Sequence, residues 1–144
     1  MRWWDSDKRK KGDGKLQQLA DAHQWKEFDE KYYMEFGNNL RNIQFALSTD
    51  GMNSFGERSS THSTWPVILT MYNLPTWLCQ KRKYLLLSVL IQGPKHPGID
   101  IDVFLEPVMQ EMETLWKKGI NIINGFTRQP INLRAIIFIT IHDY

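Results

Sequence analysis

At 144 residues the chain has room for one ordinary domain, and its 42% hydrophobic, 24% charged composition is that of a globular protein, not a disordered one. A formal net charge of +2 is too small to mark a nucleic-acid binder by itself, and the lone cysteine, Cys79, excludes an intramolecular disulfide and a cysteine-cluster zinc site. The charged start has no apolar segment behind it, and no run approaches the roughly 18 apolar residues of a membrane span, so a soluble, intracellular protein without membrane contact is expected.

Residues 1–41 read as a charged N-terminal segment. Its basic run, KRKK at 8–11, is balanced by Asp5, Asp7 and Asp13 and is expected to be solvated. Within it, Trp25, Phe28 and Tyr32 recur at helical spacing, which predicts a short helix docked through its aromatic side chains.

From residue 42 the pattern changes to that of a second unit, 42–144. A strand is expected over 43–50, with Ile43, Phe45 and Leu47 on one face and Ala46, Ser48 and Asp50 on the other. A Gly/Ser/Asn-rich loop follows, then a strand over 65–74 and a connection with the basic tip Lys81, Arg82 and Lys83. Residues 84–93 predict a third, nearly continuous apolar strand, broken at PKHPG.

The one clear helix is expected at 100–119. Asp100 or Asp102 would cap it, Gly119 would end it, and Pro107 would fall in or near its first turn. Val103, Leu105, Val108, Met109, Met112, Leu115 and Trp116 would form its apolar face. After the connection INIINGFTRQP, a last strand spans 133–143. The class is therefore α/β, in the order strand, strand, strand, helix, strand. The first three would form an antiparallel meander, and the helical crossover would set the last strand parallel to one of them.

Glycine-rich phosphate loops, HExxH and G-x-S-x-G are absent, and the four histidines are too scattered for metal-ligand spacing. Two carboxylates stand at strand ends, Asp50 and Asp143. If the last strand lies parallel beside the first, both reach one edge of the sheet, where hard oxygen ligands suit Mg²⁺ or Mn²⁺. Asp-Gly after a strand is equally a turn signal, and Asp100 and Asp102 are explained as helix caps. His142 beside Asp143 would point to the opposite face.

Ordered words in the chain resemble the plant transposases of CACTA (En/Spm-like) elements. They are Thr49-Asp50-Gly51, Ser63 to Val67, Tyr72 to Pro75 with Trp77, Gly93 to Lys95, Pro97-Gly98, Asp100 to Val103, and Thr140, Ile141 and Asp143. The likeness covers about residues 12–144. It departs where NSF stands for NPF at 53–55 and Ile-His-Asp-Tyr for Asn-Asp-Phe-Pro at the end.

The resemblance implies an RNase H-like core with a DDE triad and two divalent metals, Mg²⁺ or Mn²⁺. Asp50 and Asp143 would be catalytic and metal-binding. A third carboxylate, a glutamate further along the family's chain, has no counterpart here, nor do the fifth strand and C-terminal helices. The expectation is thus a truncated, partial RNase H-like fold, inactive alone, from an enzyme that cleaves and transfers DNA strands. The implied partners are the transposon terminal repeats, met in part by Lys81, Arg82 and Lys83, and intact transposase subunits in the nucleus. The alternative is a non-catalytic transposase-derived remnant that binds DNA or protein.

Overall fold

A computed structural model describes residues 19–52, 63–93 and 97–142. The basic run at 8–11, the loop over 53–62, the break at 94–96 and Asp143 lie outside them. The main sheet has four strands, β1 (Ile43–Thr49), β2 (Ser63–Met71), β3 (Leu85–Gly93) and β6 (Ala135–His142), in the order β3-β2-β1-β6. A separate two-stranded hairpin pairs β4 (Ile120–Ile123) with β5 (Pro130–Leu133). The helices are α1 (His23–Lys31), the single-turn α2 (Thr76–Cys79) and α3 (Ile101–Lys117).

The expected meander and crossover are both present. β1 pairs antiparallel with β2, β2 antiparallel with β3, and β6 runs parallel to β1 after the α3 crossover. This is a mixed α/β architecture with a mixed sheet. The core forms where α3 lies against the sheet: Phe45, Leu47, Val67, Leu69, Ile91 and Ala135 pack with Val108, flanked by Ile101, Leu105, Met112 and Leu115. Leu47 and Val67 are fully buried, as expected of central strands covered on a face by a helix.

The N-terminal helix docks through its aromatics, as its spacing predicts. Trp25 is buried and meets Phe138 edge-on at 5.2 Å, and Phe28 lies 5.5 Å from Phe138. Behind α1 the turn at Tyr33–Gly37 brings Phe36 to stack on Trp116 at 5.4 Å. Asn42 then ties three segments together. Its amide donates to the Phe36 carbonyl, its side-chain oxygen accepts from the Arg134 N–H, and its carbonyl accepts from Asn73.

Several sequence-based expectations need correction. β3, expected as an apolar strand, is present but at an edge of the sheet, with Leu86, Leu87 and Leu90 exposed and Ile91 buried, because an apolar run cannot reveal whether neighbours occupy both sides. The stretch INIINGFTRQP is not a plain connection but contains β4 and the turn of the hairpin, closed by Asn124 accepting from the Phe126 and Thr127 N–H groups. Its four-residue strands are too short for a period to register. The last strand of the sheet begins at Ala135 rather than residue 133, since Leu133 belongs to β5.

On α3, Val103 and Met109 face solvent, so the apolar stripe is narrower than expected. Neither Asp100 nor Asp102 caps: a 3₁₀ turn at Gly98–Asp100 leads straight into the helix, with no side-chain cap bond at Asp100. Pro107 sits in the second turn, beyond the first, and withholds its N–H from the carbonyl of Val103 on the exposed side, where water can take it. Gly119 ends the helix as expected. Its φ is +68°, and a Cβ there would meet the Leu133 carbonyl oxygen at 2.8 Å.

Candidate active site at the carboxyl end of the central strands

Asp50 follows the last residue of β1 and is exposed. The pairs on either side of it, Thr49 with Val67 and Met52 with Thr64, share one register, which sets Asp50 opposite Pro66 and Gly51 opposite Trp65. Pro66 has no N–H to give, so the ladder weakens at Asp50 and strand β1 stops there. The pairing resumes one step later, where Met52 and Thr64 exchange two backbone bonds of 2.9 Å each.

Gly51 is fixed by close approach. A Cβ at Gly51 would lie 2.6 Å from two carbons of the Trp65 ring. The Asp-Gly pair thus has its position set by an indole from the facing strand, which no turn rule describes. Two buried polar atoms near this end, Thr49 Oγ1 and Trp65 Nε1, have no hydrogen-bond partner among the described residues.

Asp143 lies outside the described residues. The pairing of β6 with β1 is described up to Thr49 beside His142, one residue short of Asp50 and Asp143 in sequence. That register contains a bulge: Phe45 pairs with Ile137 but Ala46 with Ile139, so Phe138 is the extra residue. Phe138 is also the residue on which Trp25 and Phe28 rest. The carboxyl ends of two parallel strands, here β1 and β6, are where open α/β sheets receive ligands.

The basic tip lies elsewhere. Lys81, Arg82 and Lys83 are exposed on the turn between α2 and β3, and β3 starts with Leu85 beside Thr70 while β1 meets Met71 through Phe45. The tip therefore stands at the end of the sheet where β1 begins, about 20 Å of strand from Asp50. Lys83 lies 4.7 Å over the Tyr84 ring.

Asp100 and Asp102 are exposed at the start of α3. Among the described residues, no three His, Cys, Asp or Glu side chains come together as a metal site. Asp50 offers hard carboxylate oxygens at the open end of a central strand, a donor suited to Mg²⁺ or Mn²⁺ but by itself an incomplete set.

Sequence reasoning missed one perturbed carboxylate. Burial raises the Asp29 carboxyl above its ordinary value, and bonds from Trp25 and Gln44 partly offset the rise. Gln44 Nε2 donates to Asp29 Oδ1 at 3.1 Å, fastening α1 to the start of β1. Asp29 lies four residues after Trp25 on the same helix face, a signal that could have found it. It stands at the far end of β1 from Asp50 and serves docking.

No helix among the described residues is long and apolar enough to cross a membrane. No curated protein and no solved structure matches the chain. A family model described as transposase family tnp2 matches residues 13–144, nearly the whole sequence and including every strand and helix above. The chain belongs to the tnp2 transposase family.

Proposed function

We propose that this chain supplies the metal-binding strands of a DDE-type DNA transposase of the plant CACTA (En/Spm-like) group, on an RNase H-like fold. In this reading Asp50 and Asp143 are two of three carboxylates that hold divalent ions, and the protein acts in the nucleus on transposon terminal repeats. The observation that carries it is the parallel register of β1 and β6, kept in step through Thr49 and His142 by the bulge at Phe138. Bound Mg²⁺ or Mn²⁺ would activate the attacking oxygen and steady the leaving oxygen of an in-line displacement at phosphorus. Around that chemistry, Asp50 is held by the Gly51–Trp65 contact and the resumed ladder at Met52.

Calorimetric titration with Mn²⁺ tests the assignment. Heat of binding is expected for the wild-type chain and is expected to vanish in Asp50→Asn and in Asp143→Asn; unchanged heats in both variants would sink the reading. Two carboxylates leave a metal pair under-coordinated, so the chain alone is expected neither to cut nor to join terminal-repeat DNA. Cleavage that Asp50→Asn abolishes would overturn that part.

A second reading is a non-catalytic remnant that binds an intact transposase subunit. The exposed Ile139 and Ile141 on β6 favour it, because apolar β-branched residues on an outer strand suit strand-to-strand contact. Capture of full-length transposase by wild type but not by Ile139→Lys, with no metal binding, would select this reading.

A further inference from the structure

The end of the sheet opposite Asp50 holds a cleft of about 350 Å³ lined by Asn38, Asn39, Asn42, Asn132, Glu35 and Arg134, with Met34 at its edge. It lies where β1 and β6 begin: Asn42 precedes Ile43, Arg134 precedes Ala135, and the Ile43 N–H donates to the Arg134 carbonyl at 2.9 Å. The volume is in the range of ligand sites.

One cation, Arg134, lines this cleft, and two more, Arg41 and Lys118, neighbour it through their backbone. Arg134 lines it, with one guanidinium N–H donating to the Glu35 backbone carbonyl at 2.9 Å. Arg41 is joined to it through its N–H on Asn39 Oδ1, and Lys118 through its carbonyl, which accepts from Asn132 Nδ2. Arg41 and Lys118 are exposed. The ion pairs among the described residues are His23 with Glu27 and Lys117 with Glu113, so neither Arg41, Lys118 nor Arg134 is neutralised by a carboxylate there. Lys81, Arg82 and Lys83 project from the same end of the sheet. Arg41, Lys118 and Arg134 thus share the end of the sheet where β1 begins with Lys81, Arg82 and Lys83, and with the carboxylates of Glu35 and Asp29.

We propose that this asparagine-lined cleft is a second contact site for nucleic acid, taking the phosphate backbone of DNA on Arg41, Lys118 and Arg134. Guanidinium and ammonium groups meet phosphate oxygens, and the Asn38 and Asn39 amides, which donate to the Met34 and Asn132 carbonyls, each keep a second N–H suited to sugar and base-edge atoms. The carboxylate of Glu35 opposes the anion and limits its affinity. The inference rests on the DNA-directed reading of the chain but not on its metal site. DNA held here lies about 20 Å of strand from Asp50, so the site fixes flanking DNA and takes no part in chemistry.

Fluorescence anisotropy of a labelled duplex, read in EDTA from about 50 mM to about 200 mM salt, tests the site without any metal. The Arg41→Gln/Lys118→Gln double variant is expected to bind about three- to tenfold more weakly and to lose about two from the salt slope, one phosphate contact per removed cation. Both positions are exposed, so an unchanged circular dichroism spectrum and melting temperature are expected. Glu35→Gln is expected to bind more tightly. Equal affinity and slope in wild type and the double variant would overturn the inference, as would no DNA binding by wild type. Loss confined to Lys81→Gln/Arg82→Gln would move the contact to the hairpin tip. Failure of the Mn²⁺ titration, by contrast, would leave these results untouched.

Discussion

Single residues at the carboxyl end of β1 show how narrow the local tolerances are. Asp50 could be named from sequence as a strand-end carboxylate, but what holds it could not, because Gly51 and Trp65 are fourteen positions apart and meet only across the β1–β2 ladder. A methyl group at Gly51 must displace an aromatic ring, so Gly51→Ala is expected to cost about 1–3 kcal/mol in urea unfolding, as overpacking does. Stability equal to wild type would mean that the indole moves freely. Asp29 makes a pH-dependent contribution of determinable sign. Its carboxyl is raised by burial, so the folded state holds the proton more tightly than the unfolded chain. The associated stability is complete below the ordinary carboxylate value and is lost as pH rises through the raised one. Asp29→Asn keeps an acceptor for Trp25 and Gln44 without the charge, so its melting temperature relative to wild type is expected to rise from about pH 3 to about pH 7. Parallel curves for the two proteins would refute this.

At the scale of elements, the bulge in β6 decides more than any single contact. Without the extra residue, everything after Ile137 would slip by one against β1, and a one-residue slip exchanges the faces of a strand. The same residue anchors α1, so the aromatic helix expected from its spacing is coupled to the register beside the candidate site. Phe138→Ala should keep the extra residue and lose only ring contacts, about 2–3 kcal/mol for a half-buried phenylalanine. Deleting Phe138 should do more, abolishing the cooperative thermal transition or lowering its midpoint well below that of the alanine variant. A deletion milder than the alanine substitution would show that register is unimportant here. The bulge was illegible beforehand because the residues around it, AIIFI at 135–139, are all apolar, so the alternation that begins at Ile139 has no earlier phase to be compared with. The hairpin of β4 and β5 escaped for a related reason: four residues are too few to display a period.

Across the whole molecule, sequence patterning settled what depends on local chemistry. The strand-rich stretches, the α3 helix with its glycine stop, the meander and the parallel return follow from apolar runs, turn residues and the length of the crossover. The carboxylate at the end of β1 was legible too, since a strand end is a local feature. Tertiary structure alone decided which strand lies outermost, where the ladder slips, which indole backs Gly51, and that the basic tip stands with the asparagine cleft and away from Asp50. The physical reason is common to all four. A residue's periodicity and type report on its own backbone, whereas exposure, register and the meeting of distant side chains depend on which surfaces the folded sheet brings together.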